Sequence, residues 1–352
     1  MSAVDPTLAV GDFDYDLPPE LIAQTPLAAR DGSRLMVVER GERRPRHKMV
    51  TDLPLLLSAG DLVVVNNTRV VAARLTGRRA SGAAVEFLLL RKEGDRWIAL
   101  ARPAKRLRVA EVVPLEHSGG EGTTGLAAQL TAHLGEGLVE LTLSERAEAE
   151  LGTVGSMPLP PYIRERLADP ERYQTVFAST LGSAAAPTAG LHLTHELLDR
   201  LRVNGVRVGE VTLHVGLDTF RPMAVERVAD HVIHTEWCEV SADVARLIKE
   251  TRRAGGRVVA IGTTTARTLE TLGRQGPDAL QNGWSGFTDI YITPGYRWTV
   301  VDGLLTNFHL PRSTLLMMVS ALAGSEPIRA VYREAVAERY RFFSFGDAML
   351  IL

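Results

Sequence analysis

The rhythm of this chain changes twice, and that change limits its possible folds more than any single motif. From residue 68 to residue 152 the segments AVEFLLLR, RWIALARP, EVVPL, LAAQLTAHL and LVELTL follow one another, with Gly-rich breaks such as SGGEGTTG between them. Several alternate apolar and polar residues, a two-residue period that suits strands and not helices. Short strands at such close spacing bury one face by closing on themselves. On either side the pattern is strand and helix in alternation. The expectation is an α/β, barrel-like body made of residues 1–67 and 153–352, with an antiparallel β-barrel domain, 68–152, inserted into it.

Within the body, DLVVVNNTRV reads as a buried strand over Leu62–Val65 that runs into polar residues. Thr194 is placed to cap a helix whose Leu197, Leu198 and Leu201 share one face. VRVGEVTLHVG is then a strand. Ser241 and Asp243 open a second helix that turns Val244, Leu247 and Ile248 inward. RVVAIG, TTARTLETL, FTDIYIT and RSTLLMMVSALAG continue as strand, helix, strand and buried helix.

The strands share a habit of ending in polar clusters: Asn66 to Arg69, His214 to Phe220, Gly262 to Arg267 and Thr306 to Thr314. Open α/β sheets and α/β barrels bind ligands at the carboxyl ends of their strands. Five segments, counting APTAGLH at 186–192, are therefore candidates for one pocket. Its residues would include Asn67, Arg69, Thr188, Gly190, Thr219, Asn307 and His309. GTTTAR places Thr263 and Thr264 at a helix N-terminus, a natural anion site, with Arg267 able to make a forked contact; ordinary capping by threonine is the competing explanation. No GxGxxG follows a strand there, and a Walker lysine is missing, which sets aside dinucleotide and P-loop sites.

DHVIHTEWC holds His231, His234, Glu236 and Cys238 at a spacing that suggests a metal, but a structural zinc site needs a second, distant pair. Polar pocket lining or substrate contact is the favoured reading of His231, His234 and Glu236, and no metal is expected. No nucleophile elbow is present, so proton transfer by histidine, with His192 and His214 as candidates, is the chemistry this chain is best equipped for. The lone Cys238 cannot form an internal disulfide, and no apolar run is long enough to span a bilayer. A cytoplasmic protein without a membrane partner is expected, working as a monomer.

The net charge of −2 argues against indiscriminate binding of nucleic acid, but its distribution leaves room for a polyanion. Residues 66–108 carry eleven Lys or Arg against three Asp or Glu, whereas 109–160 carry eight Glu against Arg146 alone. Two other classes compete with an enzyme of proton transfer. One is an RNA-binding protein using the basic β segment, and the other a metalloenzyme built on His231, His234 and Cys238.

As a set, FDYDLPPELIAQTPL, DLVVVNNTRVVAARL, MPLPPYI, YQTVFA, APTAGLH, VTLHVGLDTFRPM, GTTTARTLE, TNFHLPRST and YRFFSFGDAM, in order from residue 13 to 349, resemble the S-adenosylmethionine:tRNA ribosyltransferase-isomerase family of the queuosine pathway. The resemblance implies an α/β body with an inserted β-barrel. It also implies transfer and isomerisation of ribose from S-adenosylmethionine onto 7-aminomethyl-7-deazaguanine at the tRNA wobble position. Epoxyqueuosine, adenine and methionine are the implied products, and S-adenosylmethionine is consumed as a substrate with no cofactor. The chain departs from the family pattern at Leu193, at Asp218, and at Val71 and Ala72; an acceptor other than the deazaguanine is the expectation these departures would support.

Overall fold

The computed structural model describes the chain except residues 1–3, 43, 72–73, 118–122, 136, 152–154, 166 and 217–222, with the backbone alone at residues 91, 123, 148 and 149. It divides into two compact units. One comprises Met1–Thr68, Pro161–Thr180 and Pro187–Leu352, the other Arg69–Pro160 and Leu181–Ala186. The second unit thus takes in residues 181–186 as well as the central β segment, which alternation alone gives no reason to suspect.

The larger unit is built on a nine-stranded mixed sheet. Its strands are β1 (Arg34–Val38), β2 (Arg46–Met49), β3 (Leu62–Asn66), β4 (Arg207–Leu213), β5 (Glu236–Val240), β6 (Val258–Ile261), β7 (Trp284–Thr288), β8 (Gly303–Asn307) and β9 (Ala348–Ile351). They lie in the order β7-β5-β4-β3-β6-β8-β9-β1-β2. The barrel-like body therefore takes the form of a mixed sheet with two edges. β4, β3, β6 and β8 run parallel to one another, β9 opposes β8, and β5 and β7 continue antiparallel beyond β4.

β3 and β6 are apolar at nearly every position because both of their faces are covered. Leu62, Val64, Val258 and Ala260 face a cluster with Val244 and Ile248 of the helix Ala242–Arg253 and with Ala266, Leu269 and Leu272 of the helix Thr263–Arg274. Val63, Val65, Val259 and Ile261 face the opposite cluster, with Leu193, Leu197, Leu198 and Leu201. Thr194 caps the helix His195–Val203 by accepting from the Leu197 N–H, and Ser241 caps Ala242–Arg253 through the Val244 N–H. The strand expected over FTDIYIT lies earlier, at Trp284–Thr288. The Thr288 hydroxyl then accepts the Ile290 N–H and turns the chain out of the ladder, while Ile290 and Ile292 stay in the core.

The smaller unit is a closed six-stranded antiparallel barrel of Arg74–Arg78, Ala84–Glu93, Arg96–Arg102, Val112–Glu116, Thr123–Gly135 and Leu138–Leu143. Val85, Phe87, Leu89, Val113, Leu115, Leu130, Val139 and Leu141 fill it. The closing pair places Gly77 opposite Leu115, where a Cβ on Gly77 would lie 2.4 Å from the Pro114 carbonyl oxygen. Only glycine permits that approach.

Candidate functional site

The parallel strands β3, β4, β6 and β8 deliver their polar ends to one edge of the sheet. Asn66, the last residue of β3, is buried there and acts as a hub. Its amide nitrogen donates to the Leu213 carbonyl at 3.0 Å and to the Thr264 hydroxyl at 3.2 Å, and its oxygen accepts the N–H groups of Leu213 and Thr68. Thr68 in turn pairs its hydroxyl with His214 Nδ1 at 2.9 Å. The His214 ring, half-buried, stacks on Trp237 with centroids 5.3 Å apart. Burial pushes its pKa below the ordinary value, so His214 is a neutral imidazole at neutral pH.

Beside this hub the segment Thr188–His192 forms a short 3-10 turn. Thr188 donates to Asn307 Oδ1 at 3.0 Å, and the Asn307 amide nitrogen donates to His192 Nε2 at 3.0 Å. His192 is 3% exposed, its ring also bonds the Arg30 backbone, and burial brings its pKa down to about 4. Both of its nitrogens are thus occupied and it stays uncharged. It borders a cavity lined also by Arg30, Ser33, Arg172 and Ser344. Gly190 is not a gap for a ligand: a Cβ there would meet Phe177 at 2.8 Å and Thr175 at 2.9 Å, so the missing side chain admits these neighbours instead. His309 is buried with Nε2 on the Thr306 hydroxyl, and burial lowers its pKa to about 3.

The helix Thr263–Arg274 begins at Gly262, whose φ of 92° and lack of a side chain leave the first turn without a side-chain cap. Threonine capping is therefore not what GTTTAR serves. Thr264 bonds Asn66, whereas Thr265, Thr268 and Thr271 return their hydroxyls to carbonyls one turn back. Arg267 is not open to an anion. It pairs with Glu236, both side chains less than a tenth exposed, and Glu236 Oε1 accepts the Gly216 N–H at 2.8 Å. The pair braces the turn that follows His214.

Other candidates are dispersed. Asn67 points to the opposite face of the sheet from Asn66, toward Thr212 and Glu210. Arg69 belongs to the smaller unit. His231 packs edge-on against Tyr291, His234 is exposed, and Cys238 is buried in β5. Among the described residues no group of three or more His, Cys, Asp or Glu is arranged to hold a metal ion. Thr219 and Asp218 lie outside the described residues, and Leu193 is fully buried in the core. Asn66, Thr68 and Trp237 are the residues that sequence reasoning passes over.

In the barrel, Arg79 makes a two-pronged pair with Glu111, Arg78 pairs with Glu116 and Arg96 with Glu140. Arg102, Lys105, Arg106 and Arg108 are exposed and make no ion pair among the described residues. No described helix is long and apolar enough to cross a membrane.

A sequence model described as Queuosine biosynthesis protein matches residues 10–351. The chain belongs to that family. It is 52% identical over 347 residues to an S-adenosylmethionine:tRNA ribosyltransferase-isomerase of Symbiobacterium thermophilum, covering 98% of this chain and all of that protein. A protein of the same name from Staphylococcus haemolyticus is 49% identical, covering 97% of this chain and 99% of that one. The crystal structure of S-adenosylmethionine tRNA ribosyltransferase from Thermotoga maritima matches 97% of this chain and all of its own, with 38% identity and a TM-score of 0.56. Family and architecture agree with what the ordered motifs implied.

Proposed function

We propose that this protein transfers and isomerises the ribosyl group of S-adenosylmethionine onto 7-aminomethyl-7-deazaguanine at the wobble position of tRNA. The products are epoxyqueuosine-tRNA, adenine and methionine. Full-length family membership supports the reaction. The observation that carries the mechanism is His214, among the described residues the one candidate histidine at the sheet's carboxyl edge that is neutral, half-buried and not locked by hydrogen bonds at both nitrogens.

The reaction needs a base for the 5′ carbon of S-adenosylmethionine, whose proton is acidified by the adjacent sulfonium. His214 Nε2 is the proposed acceptor of that proton, with Thr68 and Trp237 fixing the ring. The carbanion opens the sugar by expelling its ring oxygen from the neighbouring carbon, and adenine leaves with a proton as its glycosidic bond breaks. The acceptor amine then adds to the resulting unsaturated sulfonium, losing a proton. After ring closure a sugar oxygen forms the epoxide on the carbon bearing sulfur, breaking the carbon–sulfur bond and releasing methionine. Asn66 and Thr264 hold the strand end and the helix start together, and the uncapped first turn at Thr263 and Thr264 offers N–H donors to an anionic group of the substrate. His192, with Thr188 and Asn307, is a positioning group. No metal or separate cofactor takes part in this proposal.

Incubation with S-adenosylmethionine and tRNA carrying the aminomethyl precursor, followed by nucleoside mass spectrometry, tests the reading. Epoxyqueuosine is the expected product. Unaltered precursor under conditions where tRNA is bound would overturn it.

A further inference from the structure

Among the described residues, β5 and β7 are covered on one face only, whereas β4 also packs Val208 against the second core cluster. Leu213 of β4, Glu236, Cys238 and Val240 of β5 and Thr288 of β7 are buried on the side where the helix Thr263–Arg274 packs. On the other side β5 and β7 alternate as a solvated antiparallel edge does, with Glu239 and Ser285 exposed. Such a face is expected to be polar throughout. One row breaks the rule. His214 follows β4 and donates its N–H to the Trp237 carbonyl at 3.0 Å, and Trp237 is the direct cross-strand partner of Phe287. Three aromatic side chains are therefore neighbours from the end of β4 across β5 to β7, and the imidazole is stacked on the indole at an interplanar angle of 21°.

The row becomes more open as it leaves the catalytic edge. Trp237 is half-buried, and Phe287 is 70% exposed. The core gains nothing from a phenylalanine in that position, since its ring lies on the side away from the packed helix. Neighbouring positions on the same face are Thr212, Glu239 and Ser285, which give a polar border and not a broad apolar patch. A protein partner or a second copy would need a wider apolar surface than one row of rings. Narrow and aromatic, the row suits unstacked nucleobases, which bind aromatic side chains face to face and with little regard to sequence.

We infer that Trp237 and Phe287, beside His214, form a stacking platform for unpaired bases of the tRNA loop next to the reacting nucleotide. The inference rests on the proposed ribosyl transfer for the identity of the RNA and on the sheet geometry for the platform. His214 stands at the chemical end, so a base stacked on Trp237 and its neighbour on Phe287 would run outward from the reacting amine. The acidic Glu239 in the next row disfavours phosphates on that side, so the platform takes the bases and leaves the backbone to the border away from Glu239.

The test uses the full chain and a fluorescently labelled anticodon stem-loop RNA at fixed salt. Phe287→Ala should weaken binding by about tenfold, the effect of removing one base–aromatic stack, and should raise KM for tRNA with kcat nearly unchanged. Phe287→Trp should restore both, whereas Phe287→Leu, equally apolar but not aromatic, should not. Because Phe287 is exposed, each variant should melt at the wild-type temperature. Wild-type affinity in Phe287→Ala, or full rescue by leucine, would overturn the platform. A defect confined to KM for S-adenosylmethionine would also overturn it, assigning the rings to adenine. Stem-loop binding is read without turnover, so failure of the ribosyl-transfer reading would leave this result standing by itself.

Discussion

At the scale of single residues, the assignment of roles turns on which histidine can accept a proton. Replacing His214 by alanine should lower kcat by about a hundredfold or more, with substrate binding changed far less. Because burial lowers the His214 pKa, wild-type turnover should hold down to about pH 6.5 and fall only below it, and the variant's residual rate should lack that limb. Undiminished turnover in His214→Ala would remove it from the chemistry. His192 and His309 predict something different, a drop in stability in acid. Each is buried neutral, with a folded pKa near 4 and near 3, below that of the unfolded chain. Unfolded chains therefore bind more protons as pH drops below about 6.5, and stability falls by up to about 1.4 kcal/mol per pH unit for each histidine until the folded values are reached. Melting temperatures constant from pH 7 to pH 4.5 would contradict neutral burial. Sequence makes His192 and His214 visible but not their difference, because their hydrogen-bond partners, Asn307 and Thr68, come from distant parts of the chain. The choice of Asn67 over Asn66 is a matter of strand parity. Asn66 lies on the same face as Leu62 and Val64, toward the helix that brings Thr264, and period-two counting along LVVVN could have found it.

At the scale of elements, the helix Thr263–Arg274 is fixed to the turn after β4 by the Arg267–Glu236 pair. Breaking a buried pair by removing one partner leaves an uncompensated charge, so Glu236→Gln should destabilise the protein by about 3–5 kcal/mol, seen as a lower midpoint in denaturant. A midpoint within experimental error of wild type would show that the pair is solvated. The barrel's arginines divide in the same way. Arg78 and Arg79 are already paired with glutamates of neighbouring strands, so their neutralisation should leave the salt dependence of tRNA binding unchanged. Neutralising Arg102, exposed at a strand end, and Arg106, on the exposed turn after it, should lower the slope by about 0.7–0.9 for each phosphate no longer neutralised. An unchanged slope would assign that turn to solvent. Charge counting could not separate these groups, since the acidic residues that neutralise Arg78 and Arg79 stand far along the chain and meet them only across barrel strands.

For the whole molecule, the interruption of a β/α rhythm by a purely β segment is readable because period two and period 3.6 leave different traces in the sequence. The return of residues 181–186 to the smaller unit is not, since a short stretch of small residues has no period. Nor is the outer half of the sheet, where β1 and β9 are five and four residues long and their pairing depends on chain ends that meet only in the fold. The polar ends of β3, β4, β6 and β8 are brought to a common edge by parallel pairing, and that edge is where ribosyl transfer is proposed. The most direct test is product stoichiometry with S-adenosylmethionine and precursor tRNA after exhaustive chelation of metal. Adenine and methionine should appear in equal amounts, each equal to the epoxyqueuosine formed in tRNA, with no S-adenosylhomocysteine. S-adenosylhomocysteine as the main product, or turnover that returns only when zinc is added, would contradict the account.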